Sequence, residues 1–131
     1  MVRMELSRIV ISETTDEQVI HLKEKDGTRS FPIVIGIYEA AAIDRKIRGH
    51  RTPRPLTHDL LASVIRDLGA RLDRVVVSEL REGTFYARLI LEHGGAETEV
   101  DSRPSDAIVL AISAGVPIFV EESVLESTGG V

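Results

Sequence analysis

The sequence predicts one compact α+β domain, with helices packed on a mixed, mostly antiparallel sheet. Three observations lead there. Short runs of alternating apolar and polar residues flank Asp26-Gly27, Glu82-Gly83 and Gly94-Gly95, dipeptides that suit tight hairpin turns. Stripes with helical spacing fall between groups of such strands rather than after every strand, which argues against a doubly wound parallel sheet. The chain has 131 residues, enough for one ordinary core and little more.

Taken in order, Val2 to Glu13 reads as a strand. Val2, Met4 and Leu6 lie on one phase and Ile9 and Ile11 on the other, so a bulge is expected near Ser7-Arg8. Glu17 to Lys25 and Thr28 to Ile35 follow as strands, the second with Phe31, Ile33 and Ile35 on one face. Gly36 opens a helix to about Arg48, striped by Ala40, Ile43 and Ile47 and stopped by Gly49. After a loop held by Pro53 and Pro55, Thr57 is the expected N-cap of a second helix. Its apolar face is Leu60, Leu61, Val64, Ile65 and Leu68, and Gly69 ends it. Arg71 to Leu80, Thr84 to His93 and a short strand ending at Asp101 come next. Pro104 then suits the first turn of a helix that is apolar almost all round from Ala107 to Ile112, so it should be covered on several sides. Pro117 to Val120 adds a strand, and Glu121 to Glu126 a last turn. The order is βββαα-βββαβ, a domain over residues 1–126 with a disordered tail at 127–131.

Composition narrows the function. No cysteine is present, which excludes disulfides, thiolate metal sites and cysteine nucleophiles. Sixteen basic and twenty-one acidic residues give −5, so no global positive field draws the chain to nucleic acid. Aromatic residues are 4%, too few for a base-stacking platform. The charged N-terminus lacks the apolar core of a signal peptide, and the uncharged run from Ala107 to Val120 is too short to span a bilayer. A cytoplasmic protein with no membrane association is expected.

Phosphate loops, paired-histidine zinc helices and nucleophile elbows are missing. Charge is nevertheless unevenly placed. Arg45, Lys46, Arg48, Arg51 and Arg54, with His50 and His58, run without an acid until Asp59. Such a patch can be a phosphate footprint, but taken alone it reads better as a solvated face near a helix C-terminus. In Asp101-Ser102-Arg103-Pro104-Ser105-Asp106, two carboxylates flank an arginine, a pattern that can hold a hard divalent cation beside a phosphate. The same residues can simply cap the helix and pair with one another. His58 can move a proton near neutral pH with Asp59 orienting it, or both can be ordinary first-turn residues. Glu39, in another first turn, is the weakest candidate, because acids favour that position for dipole reasons alone. Glu39, His58 with Asp59, and Asp106 thus open three different helices, whose free N–H groups suit phosphate oxygens.

Phe31-Pro32-Ile33-Val34-Ile35-Gly36 with Glu39-Ala40, Arg54-Pro55-Leu56-Thr57-His58-Asp59-Leu60, Gly83-Thr84-Phe85-Tyr86-Ala87, and Asp101 to Ala107 with Gly115-Val116-Pro117-Ile118 closely resemble the bifunctional nuclease family. The resemblance covers nearly the whole chain in order; Ser102 stands where alanine is common. It implies a compact α+β domain, often a homodimer, from a family with members that degrade RNA and DNA.

Residues and resemblance together give one leading expectation, a metal-dependent nuclease of low sequence specificity acting on RNA and DNA. Asp101, Asp106, Asp59 and Glu39 would bind Mg²⁺ or Mn²⁺, which would polarise the phosphate or activate water. His58, Asp101 and Asp106 would be catalytic, and Arg51, Arg54 and Arg103 would hold substrate phosphates. The competing expectation is a non-catalytic dimeric binding or regulatory module, in which the charged motifs are caps and ion pairs.

Overall fold

A computed structural model describes residues 1–129. Its elements are β1 (Val2–Val10), β2 (Gln18–Glu24), β3 (Ser30–Ile35), α1 (Ile37–Arg48), α2 (Thr57–Asp67), β4 (Arg71–Arg81), β5 (Thr84–His93), β6 (Ala96–Ser102), α3 (Pro104–Ala114), β7 (Ile118–Val120) and α4 (Glu122–Ser127). This is the expected α+β order, with the last turn formed as α4. The strands make one seven-stranded sheet in the order β3-β2-β1-β7-β4-β5-β6. Two antiparallel meanders run outward from the centre, and the three-residue β7 joins them. It pairs antiparallel with β1 and parallel with β4, which makes the sheet mixed.

Local chemistry explains most boundaries. Glu82 and Gly83 have φ of 50° and 78°, and Gly94 and Gly95 have 58° and 81°. Both are two-residue loops with two left-handed residues, the geometry whose twist matches the flanking strands. The Asp26-Gly27 hairpin is longer than its dipeptide suggests, because β2 stops at Glu24 and β3 starts at Ser30. There the Glu24 carboxylate accepts the Arg29 backbone N–H and pairs with its guanidinium at 2.6 Å. The β1–β2 register shifts between Leu6 and Arg8, at the expected bulge.

Register gathers the apolar side chains on one face. Met4 and Ile118, Val75 and Leu89, Val77 and Ala87, and Leu22 and Phe31 join the core with Ala40 and Ile43 of α1 and Ala107, Ile108 and Leu110 of α3. Helix α3 is buried along Ala107–Ala111, as its apolar circumference requires. Truncating a fully buried residue such as Ile108 would cost roughly 2–5 kcal/mol.

Two expectations change. Thr57 is not the N-cap of α2: Leu56 holds that position with extended backbone and no side-chain acceptor, and Thr57 is the first helical residue. The apolar face of α2 also divides. Ile65 packs inward, half-buried, whereas Leu60, Leu61, Val64 and Leu68 remain exposed, Leu68 at 72%. Of the tail expected from Ser127, Ser127 itself closes α4 and the Thr128 N–H bonds to the Val124 carbonyl. Residues 130–131 lie outside the described residues.

Candidate active site

The N-termini of α1, α2 and α3 open onto one cleft of about 1030 Å³, closed on another side by β5 and β6 through Leu89 and Val100. Each helix start delivers one group, for a local reason. In α1, Gly36 is the N-cap and the Glu39 carboxylate folds back over it. A Cβ at Gly36 would lie 2.6 Å from Glu39 Oε1, so only glycine leaves that space.

In α2, Asp59 at the third position accepts the Leu56 N–H at 2.9 Å, the carboxylate half of a capping box. Its other oxygen meets Lys46 Nζ of α1 at 2.5 Å. Lys46, and next the Leu56 N–H, hold the Asp59 carboxyl below the usual aspartate range. This clamp fixes the first turn of α2 and with it the adjacent His58.

In α3, Pro104 fills the first helical position and the N-cap Arg103 bends back onto Asp106. Arg103 Nε donates to Asp106 Oδ2 at 2.9 Å, Nη2 lies 2.9 Å from the same oxygen, and Nη1 donates to Glu39 Oε1 at 3.3 Å. Asp106, and secondarily Glu39, raise the Arg103 pKa and keep it cationic. The remaining Asp106 oxygen, Oδ1, lies 2.8 Å from His58 Nε2. Glu39, Arg103, Asp106 and His58 therefore form one hydrogen-bonded chain across three helix starts.

The chain has a definite polarity. An ionised carboxylate can only accept, so His58 Nε2 carries the hydrogen and, in the neutral ring, Nδ1 has the free lone pair. Arg103 donates hydrogen bonds from Nε and Nη1, and its Nη2 lies in ion-pair contact with Asp106, so N–H groups on the two Nη atoms remain for a further acceptor. Arg103 is 65% exposed while His58 and Glu39 are below 20%, so the guanidinium meets solvent and the others lie deeper.

The structure does not assemble all the expected residues at one point. Asp101 borders the cleft, but its strand register sets it opposite Arg88, and it also lines a separate depression with Arg81 and Tyr86. Arg51, Arg54 and Asp59 line a neighbouring depression of about 360 Å³, which shares Arg45, Pro55, Leu56 and His58 with the cleft. Among the described residues, no three His, Asp or Glu side chains stand grouped to hold a metal ion. Asp106 and Glu39 are tied to Arg103, and Asp59 to Lys46. As arranged, the four carboxylates do not fit a preformed ion site.

A family model described as the bifunctional nuclease domain matches residues 20–130. The chain belongs to the bifunctional nuclease domain family. That match contains Glu39, His58, Arg103 and Asp106, and among the described residues it leaves out β1, the loop after it and the first two residues of β2. An uncharacterized protein of Mycobacterium tuberculosis is 45% identical over 121 residues, covering 92% of this chain and 72% of the relative. Bifunctional nuclease 1 of Oryza sativa subsp. japonica is 28% identical over 123 residues, and Bifunctional nuclease 2 of the same subspecies 29%. Those alignments cover 91% of this chain but only 37% and 38% of the rice proteins.

Within this bifunctional nuclease domain, the sequence did not single out Tyr38 for the cleft, and it placed Arg45 only in the basic run that reads as a solvated face. Tyr38 is 83% exposed at the cleft wall, and Arg45 borders both the cleft and its neighbour. Their seven-residue spacing, which sets both on one side of α1, was the available signal.

Proposed function

We propose that this domain hydrolyses phosphodiester bonds of RNA and DNA with low sequence specificity, using His58 and Asp106 as a proton-transfer pair. The 2.8 Å contact between His58 Nε2 and Asp106 Oδ1 carries the reading, because it leaves Nδ1 as a base oriented by a carboxylate. A water attacks phosphorus and gives its proton to Nδ1 as its oxygen bonds to phosphorus. The P–O ester bond then breaks, the leaving oxygen takes a proton from solvent water at the open cleft, and His58 releases the proton on Nδ1 to solvent. The remaining Nη N–H groups of Arg103 hold the phosphate and stabilise its developing charge. Arg51 and Arg54 add phosphate contacts beside the cleft, and Asp101 lies at its rim as a solvated carboxylate. Few aromatic side chains and no evident base readers agree with low specificity.

Mg²⁺ or Mn²⁺ receives no step here, because the carboxylates expected to hold it are separated or already paired. The exposed α2 stripe, Leu60, Leu61, Val64 and Leu68, supports a homodimer. No helix among the described residues is long and apolar enough to cross a membrane.

A second reading is a non-catalytic dimeric module. It is favoured by the mutual pairing of Glu39, Arg103, Asp106 and His58, which resembles a structural ion network. Purified protein incubated with single- and double-stranded substrates, with and without chelator, separates the two. Hydrolysis lost in His58→Ala supports the enzyme, and a chelator arm reads ion dependence. Cleavage unchanged in both His58→Ala and Asp101→Asn comes from a contaminant and favours the module.

A further inference from the structure

Eight of the arginines form ion pairs with carboxylates among the described residues, while Arg3, Arg8, Arg45, Arg51 and Arg54 do not. Three of those five line a single depression beside the cleft, together with His50. Its one acid, Asp59, is already taken by Lys46 and the Leu56 N–H. In a chain of net charge −5, uncompensated guanidinium groups are thus collected in one concavity. Helix-dipole complementation accounts for Arg45, in the last turn of α1, but not for Arg51 and Arg54, which belong to the loop after it.

The depression also has a fixed relation to the cleft. His58, Pro55 and Leu56 form a shared wall, with the Arg103–Asp106 pair on one side and Arg51 and Arg54 on the other. Arg45 borders both. A phosphate seated at Arg103 therefore has a second cationic seat adjacent to it, across the residue that carries the base.

We propose that this depression binds the phosphate of a nucleotide flanking the scissile one, so that the substrate is a strand of several nucleotides lying over the Pro55–Leu56 ridge. Arg45 and His50 are its further recognition residues beside Arg51 and Arg54. The inference rests on the phosphodiesterase reading for the identity of the scissile site, but its own observable is binding. Affinity increases with strand length because each added phosphate meets a guanidinium rather than a base, so sequence matters little.

The test compares a dinucleoside monophosphate, which has a single phosphate, with a fluorescein-labelled single-stranded ten-nucleotide oligomer. Binding is measured by anisotropy over a salt series, with oligomer integrity checked on a gel. Arg45→Ala with Arg51→Ala should weaken ten-mer binding by about tenfold or more at low salt. It should also flatten the slope of log affinity against log salt by about 0.7 per lost phosphate contact. Arg51→Lys should keep most of the affinity, and binding of the dinucleoside monophosphate should change less than twofold.

Equal losses for both ligands, or an unchanged ten-mer affinity and slope, overturn the subsite. Length-dependent binding without any cleavage by the wild-type chain keeps the subsite and overturns the hydrolase reading. Cleavage without length dependence does the reverse.

Discussion

His58 Nε2 and Asp106 Oδ1 lie 2.8 Å apart although 48 positions separate them in the chain, each in the first turn of its own helix. The contact sets the ring's tautomer, and Arg103 on the other Asp106 oxygen keeps the carboxylate oriented. His58→Asn should therefore lower phosphodiester cleavage by roughly 10²–10⁴-fold, the usual contribution of a positioned acid or base. Asp106→Asn should be comparably damaging with little loss of fold. An amide can donate to Nε2 and so favours the tautomer with its lone pair in the wrong place. Initial rates on one labelled oligomer check both, and an Asp106→Asn rate within a factor of three of wild type would remove the dyad.

Gly36→Ala isolates the other end of the chain. Gly36 is the N-cap of α1 with φ −79° and ψ 164°, so alanine adopts the backbone without strain but caps less well than glycine, and stability should fall by no more than about 1 kcal/mol. The new methyl occupies the space of Glu39 Oε1, so the carboxylate must leave Arg103. Cleavage should fall by roughly threefold to tenfold, as in Glu39→Ala, because the phosphate anchor loses one of its two holders. The double variant should be no worse than Glu39→Ala alone, since both changes remove one interaction. Additive losses in that cycle would show that Gly36 acts by another route.

Turn chemistry was the most legible part of the fold. Glu82-Gly83 and Gly94-Gly95 name their loops because two consecutive left-handed residues admit few other pairs. Pro104 likewise marks the start of α3. What escaped was long-range. Nothing in Ile118-Phe119-Val120 says that three residues pair with β1 on one side and β4 on the other. Strand β6 is nearly all exposed, so no alternation of burial indicates which way Asp101 points. Asp59 looked like a metal ligand or a partner of His58, because neither Lys46 nor the Leu56 N–H is visible as its partner in a string of letters. Each acid was found at a helix start, but the chain that ties Glu39 to Asp106 needs Arg103 folded between them.

Asp59 gives a pH-dependent prediction. Lys46 and the Leu56 N–H depress its carboxyl in the folded protein, so its stabilisation is complete above the ordinary aspartate value of 3.8. It is lost as pH falls through the lower, folded value. Asp59→Ala should therefore cost about 1 kcal/mol, roughly 3–5 °C in Tm, at pH 6. The difference should narrow as pH drops below 3.8. Thermal melts of the two proteins across this range check it. A constant gap down to pH 2 would mean that the charge on Asp59 does not matter to α2. An unchanged Tm combined with altered dependence on added Mg²⁺ would instead assign Asp59 to an ion.

The proposed homodimer is tested at the α2 stripe. Leu60, Val64 and Leu68 follow one another at four-residue spacing and are 58%, 45% and 72% exposed, so they form one apolar line along the helix. Each buried leucine contributes roughly 1.5–3 kcal/mol to an interface when fully covered. Leu60→Glu with Leu68→Glu should thus convert the proposed dimer, of twice 14.4 kDa, into a monomer, read by light scattering on a sizing column. Neither side chain is buried in the single chain, so the monomer's circular dichroism should match that of wild type. His58 faces the cleft rather than this line, so the monomer should keep the wild-type cleavage rate per chain. A double variant that stays dimeric would place the interface elsewhere, and a monomer without activity would mean that the cleft is completed across the dimer.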